Sequence, residues 1–189
     1  MNEQRIITVF GSSRPAETDA GYQEAKELGR RLAEQGFAVC SGGYGGVMEA
    51  VSCGAKEVKG KTYGVTAEVF ARPTNPFVDV EVRMKTWVER LFELIRLADG
   101  FVACKGGTGT LVELAVAWEM LNKSLIAGKP LAVLGDFWQP ILDRVREVEC
   151  GPRASSESRV WREADASLVH AAKTPEDAAD YLALQLKRN

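Results

Sequence analysis

The sequence predicts an α/β fold: three layers, with a doubly wound, mostly parallel sheet at the centre. Two observations predict it. Short apolar runs alternate with helical segments along the chain, and strand–helix–strand units joined this way give parallel strands with helices on both faces. Clusters of small residues follow several of the runs, where such a chain turns from strand into helix.

The elements follow in order. Residues 5–11 (RIITVFG) form a β-branched run closed by glycine, a buried strand. Residues 19–35 carry Tyr22, Ala25, Leu28, Leu32 and Ala33 at helical spacing, and Gly36 ends the helix. A second strand spans 37–41, a helix 45–58 and a third strand 61–67. Pro73 and Pro76 make 68–77 a loop. A fourth strand is read at 78–82. A helix follows at 84–97, with Trp87, Leu91, Leu94 and Ile95 on its apolar side. Then come a strand at 100–104, a helix at 108–122, a strand at 130–134, and a helix through Ile141 and Val145. A short last strand is read at 167–170, and Pro175 opens the final helix.

The length, 189 residues, suits one domain spanning 1–189. The 151–157 stretch (GPRASSE) is the most linker-like, with too little after it for a second domain. The apolar fraction is 46% and the net charge −2, a balance that disfavours nucleic acid and membrane surfaces as partners. No apolar run suffices for a membrane helix. Residues 1–5 lack the start of a signal peptide, so the cytoplasm is the expected compartment. Cys40, Cys53, Cys104 and Cys150 form no C-x-x-C pair and only His170 is available beside them. Neither a metal site nor a disulfide framework is expected.

Three clusters should share one edge of the sheet: Phe10-Gly11-Ser12-Ser13, then Ser41-Gly42-Gly43-Tyr44-Gly45-Gly46-Val47-Met48, then Lys105-Gly106-Gly107-Thr108-Gly109-Thr110-Leu111-Val112-Glu113. Glycines let backbone amides approach an anion. The first-turn amides of a helix lack partners and lie at the positive end of its dipole, so a phosphate satisfies them. Ser12, Ser13, Gly42, Gly43, Gly45, Gly46, Lys105, Gly106, Gly107, Thr108, Gly109 and Thr110 are therefore the candidate phosphate- and nucleotide-binding residues of a Rossmann-like fold. Neither a P-loop nor a G-x-G-x-x-G fingerprint is present.

The two longer clusters resemble the paired motifs of the LOG ("Lonely Guy") family, G-G-G-x-x-G-x-M and P-G-G-x-G-T-x-x-E, whose members were once labelled lysine decarboxylases. The family's arginine before the second motif matches Arg90 in Glu89-Arg90-Leu91. Ser41, Leu91 and Lys105 depart from the family's glycine, lysine and proline. The resemblance implies hydrolysis of the N-glycosidic bond of an adenine-type nucleoside 5′-monophosphate, such as a cytokinin ribotide or AMP, with no cofactor. It implies Arg90 and Glu113 as the catalytic pair, a homodimer, and a base lying against the 84–90 segment and a neighbouring subunit. The same superfamily resemblance extends to a non-catalytic carrier of molybdenum cofactor and to nucleotide sensors, the alternative function.

Each residue also has a plainer reading. Spacing alone makes Thr110-x-x-Glu113 a capping box. Arg90 alone reads as a solvated helix residue or a partner of Glu93 or Asp99. Met48 and Trp87 read as packing residues, Glu49 as part of a solvated helix face, and His170 as structural.

Overall fold

A computed structural model describes residues 4–126, 128–149 and 168–187. One sheet of seven strands, all parallel, runs through it in the order β4-β3-β2-β1-β5-β6-β7. The strands are β1 (Ile6–Phe10), β2 (Ala38–Ser41), β3 (Thr62–Ala67), β4 (Val80–Met84), β5 (Gly100–Ala103), β6 (Leu131–Leu134) and β7 (Val169–Ala172). The helices are α1 (Ala20–Glu34), α2 (Val47–Glu57), α3 (Trp87–Leu97), α4 (Thr108–Asn122), α5 (Gln139–Glu149) and α6 (Pro175–Lys187). Short 3-10 turns follow β3 at Glu68–Phe70 and β6 at Asp136–Trp138.

The order places a topological switch point between β1 and β5. The chain winds outward from β1 through β4, then returns to the other side of β1. In sheets of this kind the ligand crevice opens at the carboxyl ends of the strands on either side of the reversal.

Both faces of the sheet are covered. On one, α1, α2 and α6 bury Leu28, Leu32, Val51 and Leu182 against Ile7, Val9 and Val39. On the other, α3, α4 and α5 bury Leu94, Leu114 and Leu142 against Phe10, Phe101 and Val133. Full burial of each such side chain contributes about 1.5–3 kcal/mol. The central strands β1, β2, β5 and β6 are buried almost throughout, which explains why none of them carries a charged residue. Edge strand β4 alternates between half-buried and exposed residues.

Several boundaries differ from the sequence reading. Met84 ends β4 instead of opening α3, because Thr86 and Glu89 form a reciprocal capping box that starts the helix at Trp87. The last strand lies at 169–172 rather than 167–170, and residue 167 is outside the described set. So are Cys150 and the 151–157 stretch. Among the described residues no helix is long and apolar enough to cross a membrane.

Two contacts hold α3 in register with the centre of the sheet. The buried Thr8 hydroxyl of β1 donates to the Leu94 carbonyl at 3.0 Å. Asp99, just after α3, accepts from the Ile6 amide at 2.7 Å. These fix the height at which Arg90, one turn before Leu94, meets the carboxyl edge.

Candidate active site

The three small-residue clusters lie at the carboxyl ends of β1, β2 and β5, which are adjacent strands. The first two lock together. Gly46 caps α2 with φ +68°, and a Cβ there would fall 2.4 Å from the Ser12 carbonyl oxygen. That oxygen accepts the Val47 amide at 2.8 Å. The Ser12 hydroxyl accepts from the Arg14 amide at 3.1 Å, while Ser13 is exposed.

The loop after β2 is mostly committed to the protein. Gly42, Gly43, Tyr44 and Gly46 are buried, and Gly45 is half-buried. The Gly43 amide donates to the Ser41 hydroxyl at 3.2 Å, and the Tyr44 carbonyl accepts from the Asn75 side chain at 3.0 Å. The Tyr44 hydroxyl donates to the Ala67 carbonyl and accepts the Ala67 amide.

The loop after β5 is open. Lys105, Gly107, Thr108 and Gly109 are exposed, Gly106 is half-buried and Thr110 is buried. Gly107 caps α4 with no side-chain cap, and no acid occupies the first turn. Among the described residues no backbone acceptor takes the amides of Thr108, Gly109 or Thr110. This positive helix end therefore faces solvent with donors to spare. The start of α2 differs in carrying Glu49 in its first turn. The loop is braced from below, since the buried Trp138 indole donates to the Cys104 carbonyl at 2.9 Å. Lys105 lies over the Phe137 ring, 5.5 Å from its centroid.

Between these loops Arg90 and Glu113 meet. Arg90 Nη1 donates to Glu113 Oε1 at 3.3 Å, with side-chain exposures of 7% and 13%. Arg90 Nε donates to the Val65 carbonyl at 2.8 Å, and Nη2 points at Met48 Sδ, 3.9 Å away. The guanidinium carbon lies 5.7 Å from the Tyr44 ring and 5.9 Å from the Phe70 ring. A Cβ on Gly42 would fall 1.7 Å from Arg90 Nη2, so a side chain there would require the guanidinium to move from its present position. Burial pushes the Glu113 carboxyl up to about 7, against the opposing pull of Arg90. One well-fixed cation thus faces a carboxyl whose charge is poised near neutrality.

The plainer readings of this pair do not hold. Glu113 lies two residues beyond the first turn of α4 and bonds Arg90 rather than a cap backbone. Glu93 pairs with Arg96, and Asp99 takes the Ile6 amide. Met48 is buried as read. Trp87 is 40% exposed and does not pack as the helix pattern suggests. Glu49 accepts from the Tyr22 hydroxyl at 3.3 Å, so it is not simply a solvated face. His170 stacks on Tyr181 at 4.2 Å and contacts Asp177, on a strand at the far end of the sheet.

Sequence reasoning missed Tyr44 and Phe70 as flanks of Arg90, and Trp138 as the brace of the second loop. Only Tyr44 carried a signal, a lone aromatic inside a glycine run. Among the described residues, no cluster of three or more His, Cys, Asp or Glu side chains is placed to hold a metal ion.

With this geometry in place, three comparisons bear on it. The model of the SLOG cluster4 family matches residues 4–157, in line with the LOG-like motifs. The cytokinin riboside 5′-monophosphate phosphoribohydrolase LOG of Oryza sativa subsp. japonica is 35% identical over 153 residues, which cover 74% of this chain. The match spans 59% of the rice protein's length. Among solved structures, the molybdenum cofactor carrier protein of Chlamydomonas reinhardtii is 25% identical with a TM-score of 0.71, covering 98% of this chain and 99% of that one. The molybdenum cofactor binding protein from Rippkaea orientalis shares the fold with a TM-score of 0.77 at 24% identity, covering 97% and 98% of the two chains.

Proposed function

The chain belongs to the SLOG cluster4 family, and from that premise we propose that it hydrolyses the N-glycosidic bond of a purine-type nucleoside 5′-monophosphate, releasing free base and ribose 5-phosphate. The observation that carries this reading is the buried Arg90–Glu113 pair, set between two glycine-rich loops at the switch point.

The chemistry follows from the charges. Cleavage at C1′ develops positive charge on the ribose, and a carboxylate alongside stabilises it. Glu113 takes that role, and its elevated pKa also suits it to withdraw a proton from the attacking water. Water adds to C1′ as the C1′–N bond breaks, the bonding pair leaves with the base, and the proton that Glu113 takes from the water is balanced by the one that the base acquires, which returns the carboxylate to its ionised form. Arg90 holds Glu113 and orients the sugar through its planar fork. The 5′-phosphate takes the open loop at 105–110, where amides, Thr108 and Lys105 face solvent. Ser12, Ser13 and the 42–46 loop close the other side. Exposed Trp87, Val88 and Phe92 on α3 supply an apolar face for a homodimer.

A second reading, a carrier or sensor that binds without turnover, is favoured by the likeness to two molybdenum-cofactor-binding structures over nearly the whole chain. Incubation with AMP and with isopentenyladenosine monophosphate, with chromatography of the products, separates the two. Base release abolished by Glu113→Gln supports the hydrolase. A rise in melting temperature with either nucleotide, without base release, selects the carrier or sensor.

A further inference from the structure

We propose that Phe70 is the platform on which the nucleobase stacks, a proposal that rests on the nucleotide reading of the site. Phe70 ends the 3-10 turn after β3 and is 40% exposed. Its ring lies 5.9 Å from the Arg90 guanidinium carbon. The same ring meets Tyr44 edge to face, 5.9 Å between centroids at 82°.

Tyr44 is the fixed member of that pair. It is buried, and its hydroxyl both donates to and accepts from the Ala67 backbone. Phe70 is therefore held from behind by a rigid ring while part of its own surface faces solvent. An exposed aromatic in contact with a buried guanidinium does little for the core. Its flat face suits a ligand that is itself a flat ring.

Sheet order gives the direction. The open, donor-rich loop lies after β5, the loop touching Arg90 after β2, and Phe70 after β3. A nucleotide with its phosphate on the β5 loop and its C1′ at Glu113 extends its base toward β3, where Phe70 waits beside Arg90. Phe137 does not fit this part, since it follows β6 and lies against Lys105, on the phosphate side. Trp87 is exposed too, but the rings that lie over the Arg90 guanidinium are those of Tyr44 and Phe70. Stacking on a phenyl ring supplies affinity for a base without selecting which purine it is.

The test uses the full chain in a Glu113→Gln background, which blocks turnover, with AMP and ribose 5-phosphate as the two calorimetric probes. Phe70→Leu is expected to weaken AMP about 5- to 150-fold, the range of base–aromatic stacking, and to leave ribose 5-phosphate within about twofold. Phe70→Tyr, which keeps the π-face, is expected to stay close to the parent. Equal weakening of both probes by Phe70→Leu overturns the proposal, because Phe70 then acts only through Arg90. Unchanged AMP affinity in Phe70→Leu, or AMP binding no tighter than ribose 5-phosphate in the parent, overturns it while the sugar-phosphate site stands. If the parent binds neither probe, the nucleotide reading fails and the platform with it.

Discussion

Replacing Glu113 by glutamine should stabilise the fold as it removes activity. The carboxyl, ordinarily near 4.5, is raised to about 7 by burial. At about 1.36 kcal/mol per pH unit, holding this group ionised costs the folded protein about 3 kcal/mol. The sign follows from proton binding. Below pH 4.5 the carboxyl is protonated in both folded and unfolded chains, and the cost is absent. Between 4.5 and about 7 the unfolded chain gives up its proton first, so the folded state binds more protons and stability falls as pH rises. Above about 7 both states are ionised and the cost is constant. Glutamine has no proton to lose, and its amide oxygen still accepts from Arg90. The variant should therefore match the wild type near pH 4 and exceed it by about 3 kcal/mol at pH 7 and above. For a chain of this size that corresponds to about 6–12 °C in Tm. Urea unfolding of both proteins across this pH range measures the difference directly. A glutamine variant no more stable than wild type at pH 8, or a difference that does not change with pH, refutes the reasoning, because the carboxylate would then be better solvated or better paired than its surroundings imply.

Other consequences are open to measurement. Arg90→Lys keeps the charge but loses the fork that bonds Val65 and Glu113 together; kcat/KM for base release should fall about 100-fold or more, and near-normal turnover would remove Arg90 from the mechanism. The pH profile of kcat/KM should show an acidic limb with a midpoint near 7, since base chemistry requires ionised Glu113; a rate that stays level down to about pH 5 contradicts that role. Trp138→Phe leaves the buried Cys104 carbonyl without its donor and should cost about 1–3 kcal/mol in urea unfolding. On the proposed function it should also raise KM more than it lowers kcat, because the brace lies under the 105–110 loop and not under Arg90 and Glu113.

What was legible in the chain was what repeats along it. Strand–helix alternation is a local pattern, and it places the glycine clusters on one edge without any three-dimensional information. The start of α3 was misplaced because apolar Met84 fits a helix stripe as well as a strand. The Thr86–Glu89 capping box decides the matter in favour of a start at Trp87. Glu113 shows the opposite error of emphasis: its spacing from Thr110 suggests a cap, yet the helix starts two residues before Thr110, and burial beside Arg90 gives the carboxyl its character. Tyr44, Phe70 and Trp138 were not legible as site residues. Each acts on a partner far away in sequence, and an aromatic side chain looks the same in a chain whether it packs a core, flanks a cation or props a loop.

Gly42 leaves a mark that can be read in other sequences. The space its missing side chain leaves is the space the Arg90 guanidinium fills, so the two positions are sterically coupled. While the arginine is kept, even alanine at position 42 would require the guanidinium end, and Met48 beside it, to shift. Loss of the arginine would relieve only part of the crowding, since Met48 Sδ would lie 2.6 Å from the same Cβ. In a relative, a side chain at position 42 would therefore mark an altered contact between the residues that match Arg90 and Glu113.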